Sequence, residues 1–230
     1  MINSPDSMFA DYALSMSKRV PFDELRAHPS MTRDEAQTIT RLHDQLVAAA
    51  DADQLLDVAY RTVDSPVGTL LLAATDRGLV RVAYELEDHD QVLQALSERV
   101  SPRILHAPRR LDQVAQQLAE YFAGQRRDFV LPLDFRLSHG FRRVVLGRLV
   151  MIDYGRTETY SQVAVATGHP RAVRAVGTAC ASNPLPVIVP CHRVLRRDGK
   201  LGGYVGGLQT KAALLSMEAG KSPDTNPALA

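Results

Sequence analysis

The stretch "VIVPCHRVLRRDGKLGGYVGGL", from Val187 to Leu208, places Cys191, one of only two cysteines in the 230-residue chain, between a proline and a histidine. A free thiol has a pKa of about 8.5, so little of it is thiolate at neutral pH, and nucleophilic use demands a base or a positive potential beside it. His192 is adjacent, Arg193 follows, and Glu218 on the last predicted helix could orient an imidazole, which completes the residue types of a Cys/His/acid arrangement. Neighbours on an extended chain point to opposite faces, so His192 is expected to reach the sulfur through a bridging water, and His192 with Glu218 is expected to lower the thiol pKa. The bland alternative is a small buried hydrophobe, the commoner fate of an unpaired cysteine. A specified Pro-Cys-His-Arg string arises by chance in roughly one of a thousand chains of this length, which favours chemistry.

The elements around this string must hold it. "NPLPVIVP" carries three prolines, so the chain after Ser182 leaves helix for a rigid, extended approach to Cys191. "GGYVGGL" has glycines that let backbone approach a flat ligand, with Tyr204 able to close over it; the alternative is a simple Gly-rich turn. "LQTKAALLSMEAG" predicts a last helix stopped by Gly220. Upstream, "TYSQVAVATG" predicts a short helix stopped by Gly168, and "HPRAVRAVGTACAS" a second one with Pro170 in its first turn, together a helix-turn-helix pattern. Before them, "HGFRRVVLGRLVMIDYG" places Phe141, Val144, Val145, Leu149 and Ile152 on one helical face.

Ahead of this helical half the texture is β. "VAYRTVD", "SPVGTLLLAATD" and "GLVRVAYE" predict a meander of three antiparallel strands, followed by the helices "DHDQVLQALSERV" and "RRLDQVAQQLAEYFAGQ" on one face of the sheet, which closes near "DFVLPLDF". Residues 1–54 are polar with one helix candidate, where Thr32 and Glu35 form a capping-box pattern ahead of Ile39, Leu42, Leu46 and Val47; an N-terminal arm or a small helical appendage packing on the body is expected, with no chemistry of its own. The tail from 221 reads as disordered.

Composition, 45% apolar and 23% charged, is that of an ordinary globular protein. Two closely spaced cysteines make neither a disulfide framework nor a zinc cage, and a reducing, cytoplasmic setting is expected, with no signal peptide or membrane span. The net charge of +1 hides an asymmetry: residues 141–211 carry +8 and the remainder −7. Clustered cations favour an anionic partner for the C-terminal half, or else form a solvated basic face.

"SNPLPVIVPCHRVL" followed by "GGYVGGLQTKAALLSMEA" resembles the signature of the O6-alkylguanine-DNA alkyltransferases, also called methylated-DNA protein-cysteine methyltransferases. The similarity extends through "FRRVVLGRLVMIDYGRTETYSQVA" and "HPRAVRAVGTA", and more weakly through "SPVGTLLLAATDRGL", covering residues 57 to 220. It implies an α+β fold: an N-terminal antiparallel sheet with helices, ribonuclease-H-like, over 55–136, and a winged or helix-turn-helix DNA-binding domain carrying the active cysteine over 137–220. The activity implied is irreversible, stoichiometric transfer of an alkyl group from O6 of guanine to Cys191, with O4 of thymine as a further candidate donor. By motif, His192 would be the base acting through water, Glu218 its orienting acid, Tyr160 the residue that assists base extrusion and protonates the departing guanine, and Asn183 the brace of the turn. Arg174 would fill the space of the flipped base, with Arg171, Ala175, Thr178 and Ala181 also on DNA, and Pro186, Val194, Tyr204, Val205 and Gly206 would line the pocket. No cofactor, metal or membrane is implied, and the partner is double-stranded DNA containing O6-alkylguanine, bound by a monomer with cooperativity left open.

The chain departs from the family at Val145 or Leu146, where tryptophan is frequent, at Asp153, where proline is, and at Val205, where some relatives have a polar residue against the guanine oxygen; a backbone N–H would serve there. Three competitors remain. A non-catalytic DNA-binding relative would lack the cysteine, a cysteine hydrolase would turn over, and a transcription factor would need dimerisation and a sequence-specific site.

Overall fold

The computed structural model describes residues 32–220. The tail expectation for 221–230, and the part of the N-terminal reading that falls on residues 1–31, lie outside them. The described chain forms two compact units that divide between Leu55 and Leu56.

In the first unit, α1 (Arg33–Ala52) starts with the expected capping box: Glu35 N–H donates to Thr32 Oγ1, and Thr32 N–H to the Glu35 carboxylate at 2.8 Å. None of its residues is buried, and Leu42 and Leu46 are each 54% exposed.

The second unit opens with β1 (Val58–Val63), β2 (Leu70–Thr75) and β3 (Gly78–Tyr84), the expected antiparallel meander. Helix α2 (His89–Arg99) leads to β4 (Ile104–His106), which joins β1 in parallel, so the sheet is mixed, in the order β3-β2-β1-β4. Helix α3 (Asp112–Phe122) follows. Consecutive residues Leu70, Leu71, Leu72 and Ala73 are all buried, and alternate strand residues point to opposite faces, so both faces of the sheet are covered. On one of them Val58, Leu71, Ala73, Val80 and Ala83 pack with Val92 and Leu96 of α2.

The sheet closes where expected. Leu79 N–H donates to Pro132 O at 2.9 Å and Asp134 N–H to Leu79 O at 2.8 Å. Gly78, at φ +130, permits that approach, because a Cβ there would stand 2.2 Å from Pro132 O.

The helical half begins with α4 (Gly140–Leu149), whose buried face is Val145, Leu146 and Leu149; Val144, expected inside, is 51% exposed. Strand β5 (Glu158–Thr159) leads into α5 (Tyr160–Ala166), started by a second capping box between Thr159 and Gln162 and ended before Gly168 at φ +76. Pro170 lies in the turn ahead of α6 (Val173–Ala181) rather than in its first turn. Helices α4, α5 and α6 pack on one another, with α5 and α6 as the helix-turn-helix pair. Strand β6 (Val194–Leu195) pairs in parallel with β5, and α7 (Gly207–Glu218) ends at Gly220, φ +67, as expected.

Candidate active site

The approach to Cys191 is a folded turn where sequence predicts extended chain. Val189 N–H donates to Leu185 O at 2.8 Å, Val187 sits at φ +71, and Cys191–Arg193 form one turn of 3-10 helix. A left-handed backbone is costly for a β-branched residue and is held only when its surroundings over-determine it. Here Asn183 does part of that work. Its Nδ2 donates to Val189 O at 2.8 Å and to Cys191 Sγ at 3.1 Å, and its Oδ1 accepts from Leu185 N at 3.0 Å. One buried amide thus spans the turn and touches the sulfur.

The thiol and its neighbour are both inside: Cys191 is 1% exposed and His192 fully buried. Burial pushes the Cys191 thiol up to about 11, against the Asn183 hydrogen bond and the charge of Lys211, which pull it down. The expectation that His192 and Glu218 lower it is therefore corrected; desolvation of the thiolate outweighs its neighbours. Burial also holds His192 below the ordinary imidazole value, despite the hydrogen bond and charge of Glu218, so the ring is neutral at pH 7.

Glu218 fixes which nitrogen carries the proton. Burial acts to raise its pKa, but hydrogen bonds from His192 and Arg193 outweigh that and hold the carboxyl well below the usual range, hence ionised. An ionised carboxylate only accepts, so His192 Nε2, 2.9 Å from Glu218 Oε1, is the N–H. Nδ1 then carries the lone pair, and it has no hydrogen-bond partner among the described residues. A neutral imidazole with its basic nitrogen unpartnered among the described residues is in the protonation state that general-base chemistry requires.

Sequence reading missed how Glu218 is anchored. Arg193 donates to it through Nε at 2.9 Å and Nη2 at 2.8 Å, Tyr121 of α3 through its hydroxyl at 2.6 Å, and Gly155 through its backbone N–H at 3.1 Å. Lys211 is also internal, fully buried, with Nζ 2.6 Å from Val194 O and 5.9 Å from the Tyr160 ring centre. Two of the cations behind the +8 are therefore structural. No sequence signal marked Tyr121 beyond its place on the apolar face of α3.

Tyr160, at the start of α5, is half-buried; burial pushes its hydroxyl up to about 12, so it remains a proton donor. On α6, Arg174, Ala175, Thr178 and Ala181 share an exposed face, with Arg171 exposed just before it: two guanidinium groups and otherwise short side chains. Of the expected pocket residues, Pro186, Val194 and Gly206 are buried and Tyr204 is half-buried, with its ring edge-on to His192 at 6.3 Å between centres. Val205 faces elsewhere, into a cleft of about 320 Å³ shared with Arg81, Arg99, Arg142 and Asn183, which Cys191 does not line. Cys180, the second thiol, is free and buried, and burial pushes it up to about 12. Among the described residues no group of three or more His, Cys, Asp or Glu could hold a metal ion, and no helix is long and apolar enough to cross a membrane.

Gly206 has no room for a side chain: a Cβ would stand 2.6 Å from the buried ring of Tyr84. Gly206→Ala should therefore cost about 1–3 kcal/mol in stability by overpacking. Gly203→Ala, where a Cβ meets nothing within 4 Å, should change it by less than about 0.5 kcal/mol. Thermal denaturation of the two variants checks the contrast.

A desolvated thiol beside a neutral, carboxylate-anchored imidazole, mounted on a helix-turn-helix scaffold, defines a cysteine group-transfer protein. Residues 58–135 match the family model "6-O-methylguanine DNA methyltransferase, ribonuclease-like domain", and residues 140–220 match "6-O-methylguanine DNA methyltransferase, DNA binding domain". The chain belongs to the 6-O-methylguanine DNA methyltransferase family. It is 40% identical over 166 residues to the methylated-DNA–protein-cysteine methyltransferase of Mycolicibacterium paratuberculosis, covering 72% of this chain and 95% of that protein. The crystal structure of Mycobacterium tuberculosis O6-methylguanine methyltransferase superposes with a TM-score of 0.63 at 37% identity, covering 75% of this chain and 98% of that one. The Mycobacterium tuberculosis OGT in complex with DNA gives 0.62 at 38% identity, covering 72% and 95%.

Proposed function

We propose that this chain repairs duplex DNA by direct reversal, taking the alkyl group from O6 of guanine onto Cys191 once and irreversibly. The observation that carries the reading is the Cys191, His192 and Glu218 constellation, in which the sulfur is buried and the basic nitrogen of the imidazole has no hydrogen-bond partner among the described residues.

In the transfer, the sulfur attacks the alkyl carbon in line with the C–O6 bond. The S–C bond forms as the C–O bond breaks, and the bonding pair leaves on the guanine. The thiol proton passes through a bridging water to His192 Nδ1, and the imidazolium so formed is stabilised by Glu218 across 2.9 Å. Tyr160, still protonated, supplies the proton that lets guanine depart neutral, and the imidazolium proton then restores the Tyr160 hydroxyl, so the net change is the thiol proton carried to guanine. The product thioether has no proton to lose and no easy hydrolysis, so the protein reacts once.

An alkyl group inside a duplex cannot reach a 1% exposed sulfur, so the base must leave the stack. Unstacking costs a few kcal/mol, which groove contacts and a filling side chain offset. Exposed Arg174 has the length and charge for that space, while Arg171, Ala175, Thr178 and Ala181 lie against the backbone. Pro186, Val194, Tyr204, Val205 and Gly206 wall the base site, Val205 through its backbone, and Asn183 holds the sulfur toward it.

The test is stoichiometry. Incubation with a duplex containing O6-methylguanine should add one methyl mass, found only on the peptide carrying Cys191, and none in Cys191→Ala. The buried thiol of Cys180 is the internal control and should stay unlabelled. Turnover beyond one equivalent, or unmodified protein with unrepaired DNA, would overturn the reading.

A further inference from the structure

The C-terminal end of β3 touches the catalytic half at several points. Val82 N–H donates to Pro184 O at 2.9 Å, in the turn that Asn183 braces, and the Arg81 guanidinium donates to the same carbonyl at 3.3 Å. Arg81 is also paired with Glu87, whose carboxylate accepts the backbone N–H of Tyr84 at 2.9 Å. Tyr84 is therefore clamped at its backbone.

Its side chain reaches further. The Tyr84 ring is 2% exposed, and its hydroxyl lies 2.8 Å from that of Tyr204, with the rings edge to face at 5.9 Å between centres. Tyr204 in turn stands edge-on to His192, and the Gly206 backbone lies directly under the Tyr84 ring. Burial raises both hydroxyls above the ordinary phenol value, so both stay protonated and the pair is a neutral O–H···O hydrogen bond across the working pH range. A tyrosine tethered only through χ1 and χ2 can swing its tip; one tethered at the hydroxyl as well cannot.

We propose that Tyr84 is a positioning residue of the base pocket: its hydrogen bond fixes the Tyr204 ring beside His192 at a distance that admits a small O6 adduct and resists a bulky one. This rests on the reading of Tyr204 as a pocket wall. A benzyl group demands more room beside the sulfur than a methyl group, so its transfer is the one more sensitive to how freely the Tyr204 ring moves.

The experiment compares single-turnover transfer from O6-methylguanine and O6-benzylguanine, each in the same duplex, for the full chain and for Tyr84→Phe, Tyr204→Phe and the double variant. Both single variants keep the rings and remove the same hydrogen bond from opposite ends. The benzyl-to-methyl rate ratio should rise about fivefold in each, roughly what one neutral hydrogen bond is worth, and the double variant should go no further than either single. A merely structural Tyr84 would lower the melting temperature and leave the ratio where it was. If the ratio moves in Tyr204→Phe but not in Tyr84→Phe, the proposal fails and the pocket reading stands. If it moves in neither, the hydrogen bond does not hold the wall and the proposal fails, while methyl transfer to Cys191 in the same assay shows that the proposed function stands; no methyl transfer in the unsubstituted protein would overturn both.

Discussion

Glu218→Gln is expected to destabilise the fold by about 3–5 kcal/mol and to slow alkyl transfer about 100-fold. The stability loss follows from Arg193, whose side chain is 6% exposed and takes its counter-charge from Glu218. Removing one partner of a buried ion pair strands the other. A glutamine is also a poor substitute in hydrogen bonding. Both carboxylate oxygens accept, Oε1 from Tyr121, His192 and Arg193 and Oε2 from Arg193 and Gly155, so an amide NH₂ faces a donor whichever way it is turned. The rate loss follows from His192, which loses the group that fixes its tautomer and its ring plane.

The pH dependence has a definite sign. Because the folded carboxyl titrates well below its unfolded value of about 4.5, its contribution is fully present above that pH and is lost as pH falls toward the folded value. The melting curves of the protein and of Glu218→Gln should therefore lie far apart at pH 7 and begin to approach one another only below about pH 4.5. Curves separated by less than about 1 kcal/mol at pH 7 would mean that Arg193 is solvated after all.

Much of this site was legible in sequence, because Cys191 and His192 are adjacent and Glu218 falls on a helix with clear ends. Local signals also placed α1 through Thr32 and Glu35, and the ends of α5 and α7 through Gly168 and Gly220. What was not legible depends on distant partners. Strand β4 has three residues, too few to show a period, and exists because β1 offers an edge. Tyr121 reaches Glu218 from 97 positions away. Val144 and Leu146 exchange places relative to the predicted face of α4 because α5 and α6 both pack on that helix, and the packing sets which stripe is inside. Charge counting erred for a similar reason: it treated Arg193 and Lys211 as surface cations, although burial makes them part of the core. The thiol pKa was misjudged in direction, since a sequence shows a neighbouring histidine but not the desolvation that outweighs it.

That desolvation shapes the second large effect, expected for His192→Gln: transfer slower by about 10²–10⁴-fold, with a changed pH profile. A thiol at about 11 is ionised to only about one part in ten thousand at pH 7. A mechanism that waits for preformed thiolate must accelerate tenfold per pH unit up to that value. A mechanism in which neutral His192 takes the proton during attack needs only the neutral thiol and the neutral imidazole. Burial keeps His192 neutral down past the ordinary imidazole value, so both forms are dominant from about pH 7 to 9 and the rate should be flat there. Glutamine keeps the volume and removes the base, which leaves only the thiolate route and should convert the plateau to a rise of one log unit per pH unit. Single-turnover transfer from an O6-methylguanine duplex, at saturating protein between pH 6.5 and 9.5, reads both profiles. A unit slope already present in the unsubstituted protein would remove His192 as the base, because the proton would then be gone before the sulfur attacks.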